Sequence, residues 1–437
     1  MNNQMCKTKK STDVIVPKSP NSKTRQSFTN NNNNNNNSSS EIPDPFSNKF
    51  TTGSGSGIGS GSSYNPYYSS KSSVSSKASL SSFKDSLPEN PLIYKFSEIS
   101  AATNKFLAKR FSSSSSSASW RCSLRDKEVI IFQRKLRRPL ELTELRDRLL
   151  TICRSHHSSL IMLLGASMSG NYIYLVYEFV EGASLKDCLR NPKNPNFTVL
   201  SNWLKRMQIA TDLAHGLDYV HHCTGIQSSG FVHNHIKCSS VIVTEETLNA
   251  KICHFGTAEL CGEIADNNKK NSSTSTEPSS SSSAAKPKEV KLEGTRGYMA
   301  PEFQLTGIAT QKSDVYAFGV VVLELLSGEE ALKFIFDEGN GGGYKRVSVI
   351  DTAREASGES GGGGVRKWVD RRLRDSYPVE VAEKMVRLGL ECVAEDPGKR
   401  PDMGRVAVLV SRLYLESQKW ADQIGLPTDF SVSMAPR

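Results

Sequence analysis

Two short segments of the chain concentrate side chains that could do chemistry. The first contains His233, His235 and Cys238, and the second contains Cys253 followed by His254. Imidazole and thiolate are zinc ligands, and a histidine can also act as a general base. The H-x-H-x-x-C spacing, however, does not match a known zinc-binding motif. We therefore expect no metal site, with His233 packed in the core and the cysteines behaving as small buried hydrophobic residues.

The segments that must position these residues change character along the chain. Residues 129–133 and 172–177 are rich in β-branched and aromatic side chains and are predicted to be strands. Pro139 is predicted to open a helix with apolar positions at helical spacing. Residues 313–326 are nearly all apolar, which predicts a fully buried helix. A strand-rich first part followed by a helical second part predicts an α+β fold with two lobes.

The composition divides the chain into folded and unfolded parts. Residues 1–90 are rich in asparagine, serine and glycine and are predicted to be disordered, because they cannot bury enough apolar surface to offset the entropy of ordering. Residues 91–415 are predicted to form the folded domain, and residues 416–437 a C-terminal tail. The Ser/Asn/Lys-rich segment 263–288 and the glycine-rich segment 337–364 are predicted to be insertions that form surface loops, and segment 263–288 is predicted to be disordered.

The cysteine count and the hydropathy indicate the compartment. The chain has nine cysteines, an odd number without CxxC spacing, so a reducing compartment fits better than a disulfide scaffold. The longest apolar run, residues 318–326, is interrupted by Glu324 and is far shorter than the roughly 20 residues of a membrane span. The amino terminus lacks the apolar core of a signal peptide. We predict a cytoplasmic protein with no transmembrane helix.

The net charge of +10 is concentrated in two segments. Residues 1–27 contain six basic residues and one acidic residue, and residues 121–154 contain ten basic and five acidic residues. The N-terminal segment would suit peripheral contact with the anionic face of the plasma membrane, although a solvated basic face is the simpler interpretation. Neither segment has the interleaved aromatic residues of a nucleic-acid module, so no nucleic-acid partner is expected.

Several long motifs resemble those of protein kinases, and specifically those of the plant receptor-like kinase superfamily. The matching segments are residues 96–106, 294–302, 311–328 and 391–401. The first and last are similar to that group's opening and closing signatures, and the middle two resemble the APE motif and the helix that follows it. Residues 368–385 look most like LysM-type receptor kinases. The resemblance implies a receptor-like cytoplasmic member with a bilobal serine/threonine kinase fold, a small β-rich N-lobe and a larger helical C-lobe.

The resemblance assigns structural roles to residues inside these motifs. Glu302 would form a buried ion pair with Arg400, and Asp314 would accept hydrogen bonds from the backbone of the catalytic loop. Lys237 and Thr295 match the serine/threonine kinase pattern. The other retained structural positions are His233, Phe255 and Gly256. The hinge of the nucleotide pocket would be formed by Tyr177, Glu178 and Phe179.

The catalytic parts that the resemblance implies are degenerate. Phosphoryl transfer needs a glycine loop, a strand lysine, magnesium ligands and a base. No glycine occurs between Gly61 and Gly165, and serines 112–117 take the place of the loop, where a Cβ at every position hinders close approach to a phosphate. The substituted positions are Phe132 for the strand lysine, His235 for the aspartate base, Ser240 for the magnesium-binding asparagine and His254 for the magnesium-binding aspartate. Neutral imidazole is a poor ligand for Mg²⁺.

Two charged residues bear on whether the lost lysine is replaced. Arg134 shares the strand face of Phe132 only if no bulge intervenes. Glu144 is retained at the helix position that pairs with the lysine, but an i,i+4 pair with Arg148 is predicted to take it instead.

We therefore predict a pseudokinase that serves signal transduction as a scaffold or allosteric partner of active receptor-like or cytoplasmic kinases. No cofactor is expected; ATP binding is doubtful and, if present, independent of magnesium. The alternative is an active but unconventional ATP-dependent serine/threonine kinase in which His235 is the base. The serines of residues 263–288 are predicted to accept phosphate from an upstream kinase.

Overall fold

The computed structural model describes residues 91–113, 118–222, 231–264, 294–337, 343–358 and 363–425. Its strands are β1 (Leu92–Ile93), β2 (Ser112–Ser113), β3 (Ala118–Leu124), β4 (Lys127–Lys135), β5 (Leu163–Ser169), β6 (Tyr172–Glu178), β7 (Gly182–Ser184), β8 (Val241–Thr244), β9 (Ala250–Ile252), β10 (Leu332–Asp337) and β11 (Gly343–Ser348). Its α-helices are α1 (Phe96–Ala102), α2 (Leu142–Cys153), α3 (Leu185–Arg190), α4 (Trp203–His222), α5 (Thr257–Cys261), α6 (Pro301–Thr306), α7 (Gln311–Ser327), α8 (Val349–Gly358), α9 (Gly363–Trp368), α10 (Val379–Cys392) and α11 (Met403–Ile424). Short 3₁₀ turns cover Pro195–Phe197, Val199–Ser201, Cys238–Ser240, Arg371–Leu373 and Pro397–Lys399.

The first lobe is built on a six-stranded sheet with the order β1-β5-β6-β4-β3-β2. Only the β1–β5 pair is parallel. Side chains alternate along β4: Val129 and Ile131 are buried in a core cluster with Ile99 of α1, so Phe132 and Arg134 belong to the opposite face. The pairing of β4 with β6 runs from Val129 to Lys135 without a register shift. The condition for Arg134 to share the face of Phe132 is therefore met.

The helix after β4 begins later than predicted. The sequence predicts a start at Pro139, whereas α2 begins at Leu142 and Glu141 is the N-cap in an extended conformation. Leu140 packs into the core from the non-helical segment, and the first helical hydrogen bond runs from Leu145 N to Glu141 O. Leu145, Leu149 and Ile152 then form the buried stripe of α2.

The second lobe consists mainly of helices around a buried core, which confirms the predicted α+β arrangement of two lobes. The predicted domain end at residue 415 is wrong. Helix α11 continues to Ile424, and Ser417 and Ala421 are buried on the face that carries Val410 and Leu413. The Trp203 indole of α4 donates a hydrogen bond of 2.9 Å to Ser417 Oγ. Ser417 and Ala421, four residues apart, thus continue the buried face of α11 beyond residue 415.

The glycine-rich segment 337–364 is also more ordered than predicted. Between its two glycine runs lie strand β11 and helix α8, which buries Val349, Ile350 and Ala353. The glycines suggested a loop, but the residues between them carry an amphipathic helical pattern. Residues 1–90, 265–293 and 426–437 lie outside the described residues, so the disorder predicted for residues 1–90 and for residues 265–288 of the insertion stays a prediction.

Helix α7 is the central buried helix, as predicted, with every residue from Ser313 to Ser327 buried. Gly319 faces α10 closely. A Cβ at Gly319 would lie 2.6 Å from Cys392 Cβ and 2.9 Å from Gly389 O. The two helices approach one another over these glycines because neither has a side chain there.

We expect Gly319→Ala to destabilise the domain. Alanine gains about 1 kcal/mol in helix propensity, whereas overpacking against a backbone oxygen costs about 1–3 kcal/mol. Urea denaturation should therefore show a lower free energy of unfolding. Gly358→Ala in α8, where an added Cβ meets nothing within 4 Å, is the matched control and should be neutral or stabilising. Equal effects of the two substitutions would contradict the close packing of α7 and α10.

Candidate functional site

The backbone of residues 231–240 is held in place by the carboxylate of Asp314, in the first turn of α7. Asp314 Oδ2 accepts from His233 N at 2.6 Å, and Oδ1 accepts from Asn234 N at 2.7 Å. His221 Nε2 of α4 lies 3.1 Å from the same Oδ2. Asp314 is only 2% exposed, and Asn234 adopts a left-handed φ of 59°. One buried carboxylate thus fixes the loop to two helices, as the resemblance implied for Asp314.

The imidazole of His233 lies in the core beneath this loop. It is 1% exposed, and its Nδ1 accepts a hydrogen bond of 3.3 Å from His235 N. Burial lowers the pKa of His233 to about 4, with Asp314 acting in the opposite direction. His233 is therefore neutral near pH 7 and supports the loop backbone.

His235 faces an ionised carboxylate that the sequence analysis did not connect with it. Its Nε2 lies 3.0 Å from Glu263 Oε2, at ion-pair distance but without hydrogen-bond geometry. Glu263 Oε2 also accepts from Asn234 Nδ2 at 2.9 Å. Burial raises the pKa of Glu263, but His235, Arg137 and Asn234 together outweigh burial and lower the pKa to about 2. His235, at the position that the resemblance gives to the catalytic base, thus already lies beside a negatively charged carboxylate.

Phe132 and His254 contact each other across the cleft. Their ring centroids are 4.6 Å apart in an edge-to-face arrangement at 78°, and Phe132 also lies edge-on to Tyr177 at 5.8 Å. His254 has a left-handed φ of 71°, and two residues later Gly256 has a left-handed φ of 82°. Burial, and next the charge of Arg134, hold the pKa of His254 well below its usual range. The two positions that the resemblance gives to a lysine and a magnesium ligand are therefore joined as a neutral aromatic pair.

The remaining polar side chains of the cleft are mainly cationic or neutral. Lys237 Nζ donates to Thr295 Oγ1 at 3.1 Å, and burial together with the charges of Arg134 and Lys186 lowers the pKa of Lys237. The Ser240 side chain is buried. These groups would attract anions, but they offer no carboxylate to a divalent cation.

The two cysteines near the cleft behave as protonated thiols, Cys238 fully buried and Cys253 partly buried. Burial raises the pKa of Cys253 to about 12, and Cys238 Sγ donates to the buried Glu324 Oε2 at 3.0 Å. Among the described residues, no group of three or more histidine, cysteine, aspartate or glutamate side chains is arranged to hold a metal ion.

The predicted hinge residues are bonded to the protein itself. The Tyr177 hydroxyl donates to Phe255 O at 2.8 Å and lies 3.0 Å from Thr257 Oγ1. Glu178 Oε1 accepts from Met162 N at 3.0 Å, and Phe179 N donates to Glu128 O at 3.2 Å. Burial raises the pKa of Tyr177, so its hydroxyl stays protonated. Tyr177 thus ties the sheet to the residues on either side of Gly256.

Helix α2 is tied to the short helix α5 by Arg148. This arginine pairs with Glu144 at 2.5 Å, which is the predicted i,i+4 pair, and also donates to Glu259 O at 2.6 Å. The backbone amide of Arg137 donates to Cys261 O at 3.0 Å. Helix α5 is therefore anchored against α2, while Glu144 is directed to an arginine of its own helix.

Sequence reasoning missed two residues that shape the cleft. Ile130 lies on the cleft side of β4, two residues before Phe132, and the alternation of β4 could have identified it. Glu263 carried no usable signal, because its contact with His235 joins segments far apart in the chain.

The segment containing Glu302 is anchored to Arg400. Two parallel hydrogen bonds of 2.6 and 2.7 Å join the guanidinium to the carboxylate. Arg400 is 2% exposed and also donates to the backbone oxygens of Ala394 and Lys312. This fork geometry is the strong form of an arginine–carboxylate pair.

Comparisons with known proteins decide the family. Residues 117–410 match the family model described as "Protein tyrosine and serine/threonine kinase". The chain belongs to this protein kinase family. Its strand-rich N-lobe and helical C-lobe are accordingly those of a kinase-like fold, as predicted.

The relatives of this kinase domain include plant receptor-like kinases. It is 32% identical to LysM domain receptor-like kinase 3 of Arabidopsis thaliana over 76% of this chain and 48% of that protein. It is also 32% identical to PTI1-like tyrosine-protein kinase 1 of A. thaliana over 60% of this chain and 65% of that protein. The chain thus spans about half the length of the LysM relative. The predicted resemblance to plant receptor-like kinases, LysM-type among them, is confirmed.

A solved structure supports the fold. The pseudokinase domain of BIR2, described as an immune regulator of the RLK/Pelle family, aligns with a TM-score of 0.55 at 23% identity, over 79% of this chain and 97% of that chain. At this identity the likeness concerns the fold alone.

Within the described part of the kinase domain, none of the helices combines the length and the hydropathy that a membrane span requires.

We expect Arg400→Met to be strongly destabilising. Removing one partner of a buried pair leaves the other charge uncompensated, which typically costs about 3–5 kcal/mol. Urea denaturation of Arg400→Met, Glu302→Gln and the double variant should show that the double variant loses less than the sum of the two single losses. Arg366→Met, which breaks the exposed pair with Asp375, is the control and should change stability little. Similar losses at the two arginines would contradict this assignment.

The stability of the kinase domain should fall as the pH falls from about 6.5 to about 4. The folded-state pKa of His233 is about 4, below its ordinary value of 6.5, so in this window the unfolded chain binds a proton that the folded chain excludes. One such group contributes up to about 1.4 kcal/mol per pH unit. His233→Gln should flatten the dependence measured by urea denaturation at several pH values. The same substitution at the exposed His222 is the control, and an unchanged slope in His233→Gln would refute the prediction.

Proposed function

We propose that this chain is a pseudokinase that acts as a signalling scaffold or allosteric partner of active receptor-like or cytoplasmic kinases. The observation that carries the proposal is the contact between Phe132 and His254 at 4.6 Å. In an active kinase these two positions supply a cation for the phosphates and a carboxylate for magnesium. An apolar ring packed on a neutral imidazole supplies neither charge.

Electrostatics argue against a magnesium-loaded nucleotide in this cleft. Mg²⁺ prefers oxygen ligands and keeps a strict octahedral geometry. His254 and Ser240 replace the two metal-binding positions, and burial and Arg134 keep His254 neutral without making it an oxygen ligand. Arg134 shares the strand face of Phe132 and restores a positive charge, but a cation alone does not bring back the metal.

The retained frame supports a role in binding other proteins. Asp314 and the Glu302–Arg400 pair keep the catalytic loop and the following segment in defined positions. A folded surface of this kind can engage partners without chemistry in the cleft. Because the relatives are kinases, kinases are the proposed partners.

We further propose that the protein acts in the cytoplasm, where the basic residues 1–27 would contact the anionic membrane face.

The alternative, an unconventional active kinase, rests on a different observation. His235 lies 3.0 Å from the ionised Glu263, and a histidine oriented by a carboxylate can act as a general base. Such a base would still lack the phosphate cradle and the metal. The pseudokinase therefore remains the favoured proposal.

A phosphotransfer assay separates the two proposals. The full chain is incubated with labelled ATP and either Mg²⁺ or Mn²⁺, beside the His235→Ala, His254→Ala double variant. We expect identical background in both, and transfer above that of the double variant would overturn the pseudokinase assignment. The His235→Asp, His254→Asp variant should remain inactive, because Phe132 and the serine run still fail to position the phosphates.

A thermal-shift titration with ATP addresses nucleotide binding by itself, since a ligand stabilises only a protein that binds it. We expect little or no shift, and the same result with and without Mg²⁺. A shift that requires Mg²⁺ would show that the metal site survives, contrary to the proposal.

A further inference from the structure

The hairpin formed by β10 and β11 exposes an unusual amount of apolar surface. Phe334, Ile335 and Phe336 of β10 are 58%, 47% and 51% exposed, and Tyr344 of β11 is 75% exposed. Single exposed apolar residues are ordinary, but a contiguous patch of large ones marks an interaction site. These four residues follow one another along two paired strands.

The register places the exposed side chains on both faces of the hairpin. Phe336 pairs directly with Tyr344, with ring centroids 5.4 Å apart, and Phe334 pairs with Arg346 on the same face. Ile335 pairs with Lys345 on the opposite face. Within the described residues, the hairpin is a two-stranded sheet whose outer edges pair with no other strand. Such a ribbon is marginally stable by itself and presents free backbone groups.

The charge on β11 restricts what can bind beside it. Lys345 and Arg346 are exposed, and neither has an ion-pair partner among the described residues. Two copies of β11 paired edge to edge would bring these cations together, which disfavours self-association. An acidic segment would instead neutralise them.

None of the three longest stretches outside the described residues is rich in acidic residues. Residues 1–90 contain ten basic and five acidic residues, and residues 265–293 contain five basic and four acidic residues. Residues 426–437 contain one of each. We therefore assign the complementary charge to a segment of another protein.

The root of the hairpin borders a cavity. Lys333 and Val347, which pair across the strands, form part of the wall of a cavity of about 470 Å³ together with Trp368 and Thr352. An extended segment that follows the hairpin toward its root would meet this cavity, which has room for a large side chain.

We propose that the β10–β11 hairpin is a docking site for an extended segment of a partner protein, which adds along β11 and alternates apolar with acidic side chains. Strand addition satisfies the free backbone groups of β11. In an alternating segment, the apolar side chains lie on the face of Phe334, Phe336 and Tyr344, and the acidic side chains lie on the opposite face beside Lys345. Arg346, on the aromatic face, adds a positive charge that attracts an acidic partner at longer range. The cations exclude a second copy and admit an acidic partner, so they provide specificity as well as attraction.

A peptide-display selection tests this site. The full chain serves as bait for a phage library of random peptides of about ten residues, the length of a long strand. Enriched peptides should alternate apolar and acidic residues. The affinity of these peptides should fall about tenfold or more in the double variant Lys345→Glu, Arg346→Glu and in the single variant Tyr344→Ser, as expected for changes at charged and aromatic contacts. The charge-reversed variant should itself select basic peptides.

Matched controls lie on the exposed side of α11. Arg412→Glu with Lys419→Glu changes the charge equally, and Leu415→Ser removes a residue that is 56% exposed. Neither should alter peptide binding, and thermal unfolding should show that all variants fold. N-methylation of alternate peptide amides should abolish binding, because it removes the backbone hydrogen bonds of strand addition.

Three results would overturn the proposal: no enrichment, enriched peptides that bind the hairpin variants and the parent equally, or a dimer in sedimentation experiments that the hairpin substitutions dissociate. The inference does not depend on the state of the catalytic cleft. Phosphotransfer activity would refute the pseudokinase proposal and leave the peptide result unchanged.

Discussion

The buried carboxylate of Asp314 is the constraint on which the site depends. It accepts two backbone amides of the catalytic loop and contacts His221, so one charge connects α7, α4 and the loop. A buried carboxylate is tolerated only when several donors compensate for its lost hydration. This arrangement places His233 in the core and His235 beside Glu263, independently of whether either histidine takes part in chemistry.

The residues that hold the frame together differ from those that the resemblance to protein kinases assigns to catalysis. Asp314, Glu302 and Arg400 bond to protein groups, so their energies contribute to folding. The positions of Phe132 and His254 would serve a ligand in an active kinase. Here these two side chains contact each other in an edge-to-face arrangement. Burying two neutral rings avoids the desolvation of unpaired charges in the cleft.

Much of the frame could be predicted from the sequence, whereas its boundaries and pairings could not. The buried helix α7 follows from its unbroken apolar run, and the pair of Glu144 with Arg148 follows from i,i+4 spacing. The predicted domain end at residue 415 falls short of the packed helix because Ser417 and Ala421 carry little hydropathy, and their burial depends on packing against α4. Glu263 escaped notice because its partner His235 is distant in the chain.

The sequence by itself determined which chemical groups are present: phenylalanine, two histidines and a serine stand at positions where the resemblance to protein kinases places a lysine, two carboxylates and an amide. Packing cannot change these functional groups. Only the tertiary structure decided what these residues do instead. The contact of Phe132 with His254, the alignment of Arg134 on an unbroken strand and the exposure of the β10–β11 hairpin all depend on strand register and on segments far apart in the chain. Local spacing fixes neighbours along one helix or strand, but the energy that joins distant segments arises only once the whole core has packed.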